Sequence, residues 1–334
     1  MTPFRTLPEG RKARIAVLDD YMGVAHQLVD WSVLGNRAEV TFFNHAIMPE
    51  DLTTTLEKYD AICLLRERTD LSETVLKGLP NLKAIAATGR QTRTLDSNAA
   101  TALGIPIMTT DGSGNGIYAT VELAWGLILG LMRHIPTESA GMRNGAWQMR
   151  LGNALYGRTL GLVGLGKLGS RMALVAQAFG MNVISWSPNL TPERAIKCGA
   201  TYVDKSTLFC TADIISLHLV LGVSTKGIVA MEDLALMQPH ALLINTSRGP
   251  LVDHEALLAA LTNGKIGGAG IDVYDQEPLP ADAAIRTTKN TLLTPHLGYS
   301  VQETFESFYN QTVENLDGWL DGVPRRLASQ NKNG

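Results

Sequence analysis

Cysteine is scarce in this chain: Cys63, Cys198 and Cys210 are its only three among 334 residues, widely spaced and in no Cys-x-x-Cys pair. An odd, scattered set suits neither a disulfide framework nor a zinc site, so no metal is expected and a cytoplasmic setting is. Excess charge of either sign is missing too. With 29 basic and 32 acidic residues the net charge is −3, which leaves no electrostatic footprint for nucleic acid or an anionic membrane. No window approaches the ~20 uninterrupted apolar residues of a lipid span. The opening MTPFRTLPEGRKAR lacks the apolar core of a signal peptide. What is present is ordinary globular composition, 45% hydrophobic and 18% charged, which excludes wholesale disorder. At 334 residues the chain exceeds the ~250–300 at which one core stops growing, so two domains are expected.

Short apolar runs recur at helix-length intervals. Residues 14–18 (RIAVL), 40–43, 61–65 (AICLL) and 82–87 (LKAIAA) read as buried strands, with helical stretches such as 51–58 and 72–78 between them. After the turn Gly104-Ile105-Pro106, residues 107–109 read as the first strand of a new unit. A long apolar helix follows over 119–134, suited to a core or a subunit interface. Further strands are expected at 160–163, 183–186, 213–217, 241–245, 268–271 and 292–294, then a helical segment from Ser300. Alternation of this kind predicts an α/β protein with two Rossmann-like, doubly wound parallel-sheet domains.

The sharpest local pattern is Gly164-Leu165-Gly166-Lys167-Leu168-Gly169, which follows a strand-like run and opens a helix. In that setting Gly164 permits the tight turn, Gly166 the approach of a pyrophosphate, and Gly169 close helix packing. A plain glycine turn, or a site for a ligand such as S-adenosylmethionine, is the alternative. At the end of the next strand, where an acidic residue would bind the ribose hydroxyls of NAD, the chain has Ser187-Pro188-Asn189. Ser187 can bond a hydroxyl without repelling a 2′-phosphate. No arginine is adjacent to hold that phosphate either, since Arg194 lies several residues on. NAD is therefore slightly favoured, with NADP as the other candidate.

Three later segments place ionisable residues just past strands: Arg248 in NTSRG, Glu277 in DVYDQEP and His296 in TPHLG. Ligands of open parallel sheets bind outside the carboxyl ends of the strands, so these three side chains are candidates to converge on a bound cofactor. Taken singly, each has a bland reading: Arg248 as a surface cation, Glu277 as a loop carboxylate and His296 as a satisfied loop histidine.

Taken together, LKAIAATG, GLVGLGKLG, TADIISLH, LLINTSRGPLVD, GAGIDVYDQEP and TPHLGY resemble the D-isomer-specific 2-hydroxyacid dehydrogenases over nearly the whole chain. The resemblance implies an NAD(P)-dependent oxidoreductase acting on the CH–OH group of a 2-hydroxy acid, or on the corresponding 2-keto acid. It makes Arg248 the substrate-binding cation, His296 the general acid/base and Glu277 its partner. Lys167 and Leu168 would offer amides to the pyrophosphate, Thr246 and Asp272 would hold the nicotinamide carboxamide, and Gly298 joins the cofactor contacts. The chemistry agrees: a histidine of ordinary pKa ~6.5 exchanges protons near neutrality, and an arginine fork suits a carboxylate. The resemblance also implies a discontinuous substrate domain (1–104 and 298–334), a cofactor domain (105–297), an active site in the cleft, and a homodimer using the 119–134 helix. One departure bears on the substrate: the family's glycine-rich loop reads Gly89-Arg90-Gln91-Thr92-Arg93 here, so Arg66, Arg90, Gln91 and Arg93 are candidate contacts for a second anionic group. Two other readings are an NAD(H)-sensing binding protein on this scaffold and a formate dehydrogenase-like enzyme.

Overall fold

Strands buried on both faces need continuous apolar sequence, and this chain supplies it twice. In the computed structural model, which describes residues 5, 7, 10–90, 93–112 and 114–328, the first such set is β1 (Ala13–Val17), β2 (Ala38–Phe42), β3 (Ala61–Leu64), β4 (Ala84–Ala87) and β5 (Ile107–Thr109). They form a parallel sheet in the order β2-β1-β3-β4-β5. Every residue of β3 and β4 is buried, whereas edge strand β2 alternates between half-buried and exposed. The short helices Glu73–Lys77 and Ser97–Ala102 begin at side-chain caps: Ser72 accepts from the Val75 amide and Asp96 from the Ala99 amide. The C-terminal helix Gln302–Leu320 packs on this unit through Phe305, Phe308, Tyr309, Val313, Leu316 and Trp319, a helical spacing that keeps one face buried. Asn315 anchors it by donating to the Thr109 carbonyl at 2.9 Å.

The second set is β6 (Thr159–Val163), β7 (Asn182–Trp186), β8 (Thr201–Tyr202), β9 (Ile214–Leu217), β10 (Leu242–Asn245), β11 (Gly268–Ile271) and β12 (Thr291–Leu293). All run parallel in the order β12-β11-β10-β9-β6-β7-β8, so the direction of strand addition reverses between β6 and β9. Alternate residues serve opposite faces. Leu160, Leu162, Ile214, Leu242 and Ile244 join one core cluster, while Val163, Ile215, Leu217, Leu243 and Ile271 join the other.

Two expectations need correction. Residues 107–109 do not begin the second unit: β5 pairs with β4, Ile85 opposite Ile107, and completes the first sheet. The chain accordingly divides into Met1–Ile117 with Val301–Gly334, and Tyr118–Ser300, rather than at 104/105 and 297/298. The later division falls after Ser300 because the buried Asp272 of the second unit holds the Leu297 and Gly298 amides. The helix Ala119–Met132 lies largely in the core of its own unit, one of the two settings its apolar character suits. It buries Val121, Ala124, Trp125, Leu127 and Ile128 there, against β10, β11 and β12, although the 19-residue span Gly114–Met132 is long and apolar enough on composition to cross a membrane.

Candidate active site

After β6 the chain turns at Gly164, whose φ of 104° favours glycine. A Cβ there would meet the His218 carbonyl oxygen at 2.7 Å, and one at Gly169 the Gly164 carbonyl oxygen at 2.2 Å. A Cβ at Gly166 would meet nothing within 4 Å. Thus Gly164 and Gly169 close the turn onto the helix Lys167–Ala178, while Gly166 faces open space. Lys167 and Leu168 stand in the first turn of that helix, where amides lack intrahelical partners and the helix dipole favours an anion. Beside the turn is a cavity of about 290 Å³, lined by Gly164, Gly166, Ser187, Asn189, Arg194 and His218 among others. Burial pushes the His218 pKa down to about 4, and its Nε2 lies 2.9 Å from the Ser216 hydroxyl.

At the carboxyl ends of β10, β11 and β12 the candidate catalytic residues come together. His296 Nδ1 lies 2.5 Å from Glu277 Oε2. Burial works to raise the Glu277 pKa. The hydrogen bond and charge of His296, the Tyr274 amide and the charge of Arg248 overcome it and hold the carboxyl below its ordinary value. Tyr274 N–H donates to Glu277 Oε1 at 2.9 Å, and the Tyr274 hydroxyl donates to the carbonyls of Ile271 and Thr294, so one side chain ties the glutamate loop to the histidine loop. Burial, followed by the charges of Asp272 and Glu277, pushes the Tyr274 pKa up to about 12.

Arg248 is set by the turn after β10. Asn245 Nδ2 donates to the Arg248 carbonyl at 2.9 Å, and the Ser247 hydroxyl donates to the Leu217 carbonyl at 2.9 Å. Gly249 then passes so close to the next loop that a Cβ would stand 2.3 Å from the Tyr274 carbonyl carbon. Any side chain there would push the arginine turn away from the glutamate. Thr246 is buried, and its hydroxyl has no hydrogen-bond partner among the described residues.

Asp272 does something the sequence alone does not suggest. Its carboxylate, fully buried, accepts from the Thr294 hydroxyl at 2.6 Å, the Leu297 amide at 2.7 Å and the Gly298 amide at 2.9 Å. Its backbone carbonyl takes the His296 amide at 2.8 Å. His296 itself has φ 55°, a left-handed conformation that a non-glycine residue keeps only when its surroundings hold it. Asp272 is what holds it. Burial raises the Asp272 pKa in spite of these donors and the nearby His296 charge.

In the first unit, Arg66 follows β3 with φ 57°, its amide donating to the Thr88 hydroxyl at 2.8 Å. Its guanidinium occupies the space over Gly89, where a Cβ would meet Nη1 at 1.9 Å. Arg68, beyond it, donates to the Asp19 carbonyl and lies over the Tyr21 ring. Arg90 is 3.6 Å from Asp111 and 74% exposed, a pairing worth little in solvent. Arg93 is exposed, and Gln91 lies outside the described residues. Among the described residues no His, Cys, Asp and Glu group has the makings of a metal site.

These residues fit a nicotinamide dinucleotide: an open glycine turn at a helix start, a cavity at the β6–β9 reversal and an orphaned hydroxyl at Thr246. Comparison with known proteins agrees. Residues 125–298 match the family model for the D-isomer specific 2-hydroxyacid dehydrogenase, NAD binding domain. A D-3-phosphoglycerate dehydrogenase of Synechocystis is 38% identical over 83% of this chain, which spans only 50% of that longer relative. A glyoxylate reductase of Thermococcus litoralis is 37% identical over 80% of this chain and 83% of its own length. Among solved structures, a phosphoglycerate oxidoreductase of Vibrio cholerae superposes with a TM-score of 0.86 at 36% identity, covering 93% of this chain and 99% of that one. The chain belongs to the D-isomer specific 2-hydroxyacid dehydrogenases.

Proposed function

We propose that this chain interconverts 2-keto acids and D-2-hydroxy acids, with Arg248, Glu277 and His296 as its catalytic set. The observation that carries the reading is the 2.5 Å His296–Glu277 contact within the electrostatic reach of Arg248. A reduced nicotinamide, when bound, supplies a hydride to the keto carbon. Arg248 holds the substrate carboxylate through its guanidinium fork. His296 Nε2, the ring nitrogen not committed to Glu277, donates the proton that the developing alkoxide requires. Glu277 fixes the ring orientation and stabilises the imidazolium, and Asp272 keeps the loop in register. Lys167, Leu168, Ser187, Thr246 and Gly298 serve the cofactor.

Substrates with a second anionic group are the favoured class. Arg66, just after the carboxyl end of β3, and Arg90 and Arg93, after that of β4, are the candidate contacts for that group. The protein is expected to work in the cytoplasm as a homodimer. The candidate interface is the helix Ile135–Arg143 and the segment after it, where Trp147 is 76%, Leu151 95% and Tyr156 83% exposed. The test is turnover of a panel of 2-keto acids with NADH and with NADPH. Reduction of keto acids, with anionic-tailed ones ahead of pyruvate in kcat/KM, is the expected result. Binding of NADH without turnover of any keto acid would leave a sensor protein instead, and turnover of formate alone a formate dehydrogenase.

A further inference from the structure

The turn after β7 and the helix that follows it bring together two residues that the sequence separates. Leu190 N–H closes the turn onto the Ser187 carbonyl at 3.1 Å. Thr191 then caps the helix Pro192–Lys197 by accepting from the Arg194 amide. As a result Arg194 lines the same cavity as Ser187 and Asn189. Among the described residues it is the only lining residue with a permanent charge, and no carboxylate lines the cavity. His218, also in the wall, stays neutral near pH 7 because burial lowers its pKa to about 4. The adjacent Glu193 carboxylate is engaged by its own backbone amide and by the Thr191 hydroxyl, which hold its pKa down.

Sites that select NAD place a carboxylate on the ribose hydroxyls, and that charge repels a 2′-phosphate. Here the carboxylate is replaced by the Ser187 hydroxyl, and a guanidinium stands in the same wall. Arginine binds phosphate through paired, charge-assisted hydrogen bonds. We propose that Arg194 and Ser187 form a subsite for the 2′-phosphate of NADP(H), and that this chain binds NADPH in preference to NADH. The proposal rests on reading the cavity as the adenosine end of the cofactor site. It reverses the slight preference for NAD expected from the sequence, where the distance along the chain from Ser187 to Arg194 hides their shared wall.

The experiment is calorimetric titration with NADPH and NADH, and with the nicotinamide-free pair 2′-phospho-ADP-ribose and ADP-ribose. The wild type should bind each 2′-phosphorylated ligand about tenfold or more tightly than its plain counterpart, the scale of a charge-assisted hydrogen bond. Arg194→Ala should remove most of that ratio. Lys197→Ala, on the same helix but outside the cavity wall, should keep it, and Ser187→Asp should invert it. Equal affinities in the wild type, or a ratio that survives Arg194→Ala, would overturn the subsite alone. Failure of all four ligands to bind would overturn the cofactor reading and the subsite with it.

Discussion

Replacing Asp272 by alanine removes three hydrogen-bond acceptor contacts from the loop that carries His296. Gly298 is buried, so its stranded amide costs about 1–3 kcal/mol, while the half-buried Leu297 amide and Thr294 hydroxyl each forfeit about 0.5–1.5 kcal/mol. Together these put the loss near 2–6 kcal/mol. In a unit of this size the corresponding fall in Tm is on the order of 10 °C. Asp272→Asn should cost less, for two reasons. An amide oxygen retains part of the acceptor set. Burial already raises the Asp272 pKa, so protonation favours the folded state, and the stability the acid form confers at low pH is lost as pH rises through the folded pKa. The neutral amide avoids that penalty at pH 7. Catalysis should respond more steeply than stability, since a displacement of about 1 Å in a catalytic group costs on the order of 10²-fold. Differential scanning calorimetry and steady-state kinetics on both variants provide the measurements. An Asp272→Ala enzyme with wild-type Tm and wild-type kcat would refute the assignment of this carboxylate as the clamp on His296.

Other outcomes follow from the same geometry. His296→Ala should lower kcat by about 10²–10⁴-fold while leaving the Kd for reduced cofactor within twofold, because the proton is donated only in the transition state; an equal loss in both would reassign the histidine to binding. Arg248→Lys should raise KM and lower kcat together, the single ammonium lacking the fork, and wild-type kinetics would remove the carboxylate-binding role. Asp213 is held below its ordinary pKa: burial opposes the shift, but the Thr159 amide, His240 and Arg158 prevail. Its contribution is therefore present above the ordinary carboxylate range and lost as pH falls through the lowered pKa, so the Tm gap between wild type and Asp213→Asn should narrow from pH 7 to pH 3. Light scattering should report a dimer that Trp147→Asp with Leu151→Asp converts to monomer; a monomeric wild type would end that expectation.

Fold class was legible because parallel strands buried on both faces must be written as unbroken apolar runs. AICLL, LKAIAA and LLIN are legible without reference to anything else. The two-residue β8 (Thr201–Tyr202), exposed at the sheet edge, carries no such run and has no counterpart among the expected strands. Residues 107–109 were recognisable as a strand, but their partner was not. A three-residue strand contains nothing that specifies which sheet it joins; the pairing with β4 comes from the crossover through the helix Ser97–Ala102. The helix Ala119–Met132 is ambiguous in sequence for a related reason. An apolar surface with few charges is the composition both of a subunit interface and of a helix sunk in its own core, and only the neighbouring strands decide between them.

The site divides along another line. Residues that act through their own chemistry, such as Arg248, Glu277 and His296, are conspicuous because each ends an apolar strand with an ionisable group. Residues that act through someone else's backbone are not. Asp272 sits in the same kind of position as Glu277, and sequence gives no means of telling a carboxylate that meets a ligand from one that grips two amides across a loop. Its signature was nonetheless present in physical terms: an acid directly after a fully buried strand must find donors nearby, and the unpaired amides of a Pro-His-Leu-Gly turn are such donors. Arg194 is the converse case. Its chemistry is plain, but its position depends on a capped turn folding seven residues back on themselves, and no pattern of residue types encodes that return. Where a function depends on charge reaching a point in space, the sequence names the charge and the fold supplies the point.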